Sequence, residues 1–190
     1  MKILAAKLKT NLDQIQPGRV LIARKHMNDE LLNRAVILIL EHDETGTTGI
    51  ILNKSSIPTH QHSRDKSEER IYYGGTYDTH RVGVILSDNS FTQKAIKISN
   101  GIYYSENYFL LKEKNFSEAM HAANLKAFIG FTVWRPGQLE HEVENNNWWI
   151  DDFNTDELKI VKDVDLWEYK LLQADTMYGL FHNKSYLSLN

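Results

Sequence analysis

Two short clusters hold the side chains best suited to chemistry. The first joins Glu41-His42, at the end of one apolar run, to Asn53-Lys54, at the end of the next. A carboxylate, an imidazole, an amide and an ammonium on one rim could hold a small anion or a carbonyl, with the imidazole changing charge near neutrality. Antiparallel pairing of the two runs is expected to bring Asn53 within a few residues of Glu41. The structural alternative is that Asn53 and Glu41 satisfy hairpin backbone groups while Lys54 faces solvent. The second cluster is Gln138, Glu140 and Glu142, in the first turns of a helix that opens after Trp134-Arg135-Pro136-Gly137. Acids there stabilise the helix dipole by about 0.3–1 kcal/mol each, which accounts for them without any activity. If the corner folds over the hairpin, however, Glu140 meets Glu41, and Glu41, His42 and Glu140 become the acid–base groups of a hydrolase or transferase.

Other motifs carry less. Gly74-Gly75 allows positive φ or close backbone approach. It either exposes N–H groups to a ligand or simply turns the chain. His141-Glu142-Val143-Glu144-Asn145 misses the zinc-protease pattern HExxH because Asn145 stands at the second histidine. His60-Gln61-His62 lacks a third ligand, so no metal or other cofactor is expected. GxSxG, the Walker phosphate loop, GxGxxG and the kinase set are absent. Trp134, Trp148, Trp149 and Trp167 supply core or interface area. Trp148 and Trp149 cannot both point inward on a strand, so one is expected to cover a cleft or a partner surface.

The elements that must position these groups follow from hydrophobic periodicity. Val20–Ala23 reads as a short strand, and Asn28 or Asp29 can cap a brief helical turn. Ala35–Leu40 is a continuous apolar run suited to a strand buried on both faces. Asp43-Glu44-Thr45-Gly46 turns it into Gly49–Leu52, a central hairpin. Residues 54–70 contain one aliphatic side chain, Ile57, and read as a mobile polar loop. Ile71–Tyr73, Val82–Leu86 and the hairpin Ala95–Ser99/Ile102–Ser105 about Asn100-Gly101 follow. Ser117 can cap a helix through Ala123, Ala127–Val133 is a strand, and Leu166–Ala174 has helical spacing of Leu166, Trp167, Leu171 and Leu172. Five or six strands, several antiparallel, with helices outside any regular βαβ order, indicate an α+β fold.

The 190 residues suit one domain (1–190), with residues 1–17 as an N-terminal extension ending in Pro17-Gly18. A net charge of −3, from 25 Asp+Glu against 22 Lys+Arg, argues against nucleic-acid or membrane-surface binding. Absence of cysteine removes thiolate chemistry and fits a cytoplasmic protein. No stretch approaches the ~20 apolar residues of a membrane helix.

The hairpin and corner together resemble the AlgH/YqgE family. The likeness is carried by Gly18–Ala23, Asp29, Arg34-Ala35-Val36, Glu41-His42, Gly46, Gly49–Lys54, Gly74-Gly75, Gly137-Gln138-Leu139-Glu140, Glu142 and Trp148. Arg24-Lys25-His26, Ser55 and Thr76 stand where that family usually has proline. The resemblance implies bent, mostly antiparallel strands forming a partly open barrel core with flanking helices. It brings Arg34, Trp134 and Gly137 into the candidate ligand-binding set beside Glu41, His42, Asn53, Lys54, Gly74, Gly75, Gln138 and Glu140. Members carry the label of transcriptional regulators, with no helix-turn-helix and no reaction tied to the family. The expectation is a non-enzymatic protein that binds a small anionic ligand or a protein partner. A hydrolase or transferase is the alternative, and direct DNA binding a weaker one.

Overall fold

The computed structural model describes residues 12–54, 56–58, 70–87, 95–99, 101–106, 126–157 and 165–174. Apolar periodicity produces ten strands among them: β1 (Arg19–Ala23), β2 (Val36–Asp43), β3 (Gly46–Ile51), β4 (Ser56–Pro58), β5 (Arg70–Tyr73), β6 (Tyr77–Leu86), β7 (Ile96–Ser99), β8 (Ile102–Ser105), β9 (Lys126–Trp134) and β10 (Trp148–Asp152). Helix α1 (Gln138–Glu144) joins β9 to β10, and α2 covers residues 166–174. The strands run in the order β10-β1-β2-β3-β9-β6-β8-β7, with β5 beside β9 and β4 beside β5. All pairings are antiparallel except β5 with β9. The result is a strand-dominated α+β fold, a curled half-barrel sheet with two helices among the described residues.

Val36–Leu40 of β2 are buried on both faces, as their unbroken apolar run requires. Leu139 and Val143 of α1 and Leu166, Trp167 and Leu171 of α2 belong to the same core cluster. The helical spacing of 166–174 therefore holds, except that Leu172 points outward and is 63% exposed. Ile15 is buried in this core, so the segment just before Pro17 packs rather than trailing free.

Two expectations change. Within the 54–70 stretch, Ser56–Pro58 form a strand paired with β5, so that part is not a loop; its remaining polar residues between 59 and 69, with His60 and His62, lie outside the described residues. The described residues form ten strands rather than five or six; β4, only three residues long, and β10, opened by two adjacent tryptophans, are not expected from the sequence because neither stands out as a period-2 pattern. The helix expected from Ser117 to Ala123 also lies outside the described residues.

β9 is the central strand. Its first half lies between β5 and β6, and its last three residues pair with β3. The β5–β6 corner crosses it so closely that a Cβ on Gly75 would overlap the Phe131 carbonyl, and one on Gly130 would overlap the Gly75 carbonyl. Gly130 also has φ +73, a left-handed conformation that L side chains rarely adopt. Changing Gly130 to Ala is therefore expected to destabilise the fold by at least about 2 kcal/mol, from strain plus backbone displacement. Urea titration checks this; a variant within 0.5 kcal/mol or so of the parent contradicts so tight a crossing.

Candidate functional site

The corner after β9 is built around one carboxylate. Pro136 and Gly137 end the strand, and Gly137, with φ 75, starts α1 without a side-chain cap. The Gln138 amide oxygen accepts instead from Arg135 N–H at 3.1 Å. One turn on, Glu142 Oε2 accepts from Trp134 Nε1 at 3.0 Å and Trp148 Nε1 at 2.8 Å, while Oε1 accepts from Gln138 Nε2 at 3.0 Å. The two indoles meet edge to face, 6.1 Å between centroids. Buried indole N–H groups need a partner, and a shared anion supplies it to both. Gln138, Leu139, Glu142 and the two tryptophans thus have structural duties. Trp149, the neighbour that faces away, is half-buried beneath the Arg24 guanidinium, 3.5 Å from the ring centroid. It offers no bare apolar patch.

The hairpin tip does reach this corner. His42 Nδ1 lies 2.8 Å from Thr47 Oγ1, and its Nε2 is 4.0 Å from Glu140 Oε1. A Thr–His–Glu sequence invites comparison with a nucleophile relay, but the Thr47 side chain is 3% exposed and no substrate carbonyl can approach it. Glu41 is not part of the group. Register opposes Glu41 to Thr48 and His42 to Thr47, so alternation sends Glu41 to the other face of the sheet, beside Tyr104 and Glu106. The acid–base set of Glu41, His42 and Glu140 is therefore not assembled.

The single rim expected for Glu41, His42, Asn53 and Lys54 is also divided. The turn at Glu44-Thr45 fixes Ile37 opposite Ile51, which carries Asn53 to the start of β2. That is five residues from Glu41, roughly 17 Å at ~3.3 Å per residue. There Asn53 Oδ1 accepts from Val36 N–H at 2.9 Å and its Nδ2 donates to the Arg34 carbonyl at 2.8 Å, continuing the sheet with a side chain. Lys54 Nζ donates to the Asn33 carbonyl at 2.6 Å. The preceding turn is capped by Asp29, whose Oδ1 accepts from Leu31 and Leu32 N–H at 2.9 and 2.8 Å. It ends at Arg34, a non-glycine residue with φ 56.

The Arg34 guanidinium is ion-paired with Asp165 and lies 4.5 Å from the centre of the Trp167 ring. Together with Glu30, Asn33, Asn53, Lys54 and Leu166 these groups line a polar cleft of about 500 Å³. Burial lowers the Lys54 pKa from its ordinary 10.5, Asp165 opposes that shift, and Arg34 reinforces it. Helix α2 is held by Trp167 Nε1, which donates to the Ala23 carbonyl at 2.6 Å. Its buried Lys170 reaches Glu157 at 2.8 Å and Asp151 at 3.1 Å. Burial raises the Glu157 pKa above 4.5 despite the hydrogen bond from Lys170.

Gly74 and Gly75 join neither group. Gly74 N–H donates to the Ile129 carbonyl at 2.8 Å, and its own carbonyl accepts from Ile51 N–H at 3.0 Å. Their role is the close crossing of β9. Sequence reasoning missed Asp165, Asn33 and Glu30 in the cleft, and Thr47 beside His42. Asp165 has a local signal, since it precedes Leu166-Trp167 and its Oδ1 accepts from Trp167 N–H at 3.1 Å as a helix cap does. Among the described residues no group of His, Asp and Glu is placed to hold a metal ion, and no helix is long and apolar enough to cross a membrane.

A curled antiparallel half-barrel closed by a tryptophan–glutamate corner, with a polar cleft at the far end of its central hairpin, defines the class of protein. A family model described as AlgH-like matches residues 20–178. The chain belongs to the AlgH-like family. It is 25% identical over 170 residues to a UPF0301 protein of Cytophaga hutchinsonii, covering 87% of this chain and 93% of that one. With a UPF0301 protein of Parabacteroides distasonis it shares 31% identity over 147 residues, 74% of each chain. A crystal structure of a Corynebacterium diphtheriae protein superposes with TM-score 0.64 at 26% identity, covering 80% of this chain and 83% of the other. The solution structure of AlgH from Pseudomonas aeruginosa gives TM-score 0.60 at 23% identity over 91% and 93% of the chains, a likeness of fold alone.

Two outcomes follow from the corner and the helix anchor. Glu142→Ala strands two indole N–H groups and is expected to cost about 3 kcal/mol, whereas Glu142→Gln keeps one acceptor oxygen and costs about 1 kcal/mol. Equal losses in urea melts would contradict a shared acceptor. For Glu157, a folded pKa above the unfolded one means its contribution to stability is fully present below pH 4.5 and lost as pH rises through the folded value. Carboxyl NMR titration is expected to place its midpoint above 4.5; a midpoint at or below the unfolded value contradicts the burial argument.

Proposed function

We propose that this protein is a non-catalytic binder of a small carboxylate- or phosphate-bearing ligand, seated in the cleft of Arg34, Lys54 and Asp165. The observation that carries the reading is a polar cleft of about 500 Å³ holding two cations with donors to spare. Arg34 places one guanidinium nitrogen on Asp165, leaving the rest of its fork for a second anion. Among the described residues Lys54 has one hydrogen-bond acceptor, the Asn33 carbonyl, for its three donors. The left-handed backbone at Arg34 is a conformation met disproportionately where function holds it in place. Separation of Glu41 from His42 and Glu140 weighs against the hydrolase or transferase alternative. The net charge of −3 weighs against direct DNA contact. A regulatory role, as the family's label suggests, would run through occupancy of the cleft or through a protein partner that senses it.

Isothermal titration with inorganic phosphate, citrate and a panel of small dicarboxylates tests the reading. At least one anion is expected to saturate at one site per chain, and Lys54→Gln is expected to weaken it about tenfold. Because burial lowers the Lys54 pKa below 10.5, affinity is expected to fall with rising pH before that value is reached. An absence of saturable binding across the panel, or binding indifferent to Lys54→Gln, overturns the proposal.

A further inference from the structure

A second cavity, about 240 Å³, opens on the opposite face of the central hairpin. Its walls are apolar: Pro17, Leu40, Ile98 and Phe131 among them. Its polar features are unusual because two of them lack what such groups normally have. Tyr104 is 5% exposed, yet its hydroxyl has no hydrogen-bond partner among the described residues. A buried phenol usually finds one. Its position is fixed, since the ring packs edge to face on Phe131 at 6.1 Å and lies over Gly83, where a Cβ would collide with it. The Glu41 side chain, at the rim, makes no hydrogen bond or ion pair among the described residues. Glu106 does, with both oxygens 3.1 Å from Arg81 Nη1, and is thereby neutralised. Glu41 is thus the unpaired carboxylate of this cavity among the described residues.

We infer that this cavity binds a small amphipathic amine, its ammonium held by Glu41 and the Tyr104 hydroxyl and its apolar body lying on Leu40, Ile98 and Phe131. The volume falls below the ~300–1,000 Å³ of pockets for drug-sized ligands, which restricts the ligand to a short aliphatic or single-ring amine. A phenol oxygen can accept from an ammonium, and a free carboxylate supplies the charge-assisted bond. Burial pushes the Tyr104 pKa up, with Glu106, Glu41 and Asp78 adding to the shift and Arg81 opposing it, so the phenol keeps its proton. Lys97, also at the rim, is exposed on the edge strand β7 and can turn its ammonium to solvent. This site and its ligand charge are independent of the anion cleft, so either reading can fail alone.

The probe is hexylamine, titrated into the full chain with methyl NMR as the readout, against hexan-1-ol and hexanoate. Hexylamine is expected to saturate, with shifts at the Leu40 and Ile98 methyls. Glu41→Gln is expected to weaken it about tenfold or more, and Tyr104→Phe, which preserves the ring packing, about threefold or more. Hexan-1-ol and hexanoate are expected to bind about tenfold more weakly than the amine. No saturation at millimolar amine overturns the inference. So does equal binding of the alcohol or the carboxylate, or an affinity that Glu41→Gln leaves unmoved.

Discussion

Everything in this fold that lies on the α1 side of the sheet depends on the Glu142 carboxylate being shared by two indoles. Trp134 ends β9 and Trp148 begins β10, strands with three others between them in the sheet. A sheet of five strands brings those points together only if it curls, and the carboxylate is what fixes them at hydrogen-bond distance. Bonds from neutral donors to a charged acceptor contribute about 1.5–3 kcal/mol each, large against the 5–15 kcal/mol of a typical domain. Leu139 and Val143 of α1 then fall onto the core. The same closure sets β10 against β1, and β10 is where Lys170 of α2 finds Asp151. Arg34 and Asp165, which meet across 131 positions of sequence, are neighbours because of that chain of attachments.

The opposite face obeys a different constraint, close backbone crossing. Gly75 and Gly130 let the β5–β6 corner pass over β9 without side chains between. Beyond it, β6 loses register between Tyr77 and Val82, and the displaced segment carries Asp78 and Arg81 out to Glu106. Phe131 and Tyr104 fill the space beneath, leaving the cavity by Glu41. Two separate hollows therefore arise from one hairpin: alternation separates Glu41 from His42, and strand length separates both from Lys54.

Much of this was legible in the chain because it is local. The β2–β3 turn, the Asp29-capped turn, the hairpin about Gly101 and the Pro-Gly corner all follow from residues a few positions apart. The resemblance carried by the double glycine and the corner residues identified the family, and with it the curled sheet. What sequence reading misplaced was geometry that requires counting across a turn. Glu41 and Asn53 both end apolar runs, yet a hairpin puts the end of its first strand beside the turn and the end of its second strand far from it. Trp148 gave no sign that its partner was Trp134, since the link passes through a third residue. The Arg34–Asp165 pair and the unpartnered Tyr104 hydroxyl are products of tertiary closure and have no sequence signature. Arg24, in the Arg24-Lys25-His26 segment where the family usually has a proline with apolar neighbours, finds its reason only in the structure, as a cation laid on Trp149.

Hydrogen exchange at the two indole N–H groups tests the central claim most directly. If Glu142 holds both tryptophans and the closure of the sheet together, the Trp134 and Trp148 indole protons exchange at one common rate, matching the slowest backbone amides of β2, which open only on global unfolding. Fast exchange at either indole, or rates differing widely between the two, would show that the corner opens without the sheet and that the carboxylate does not close it.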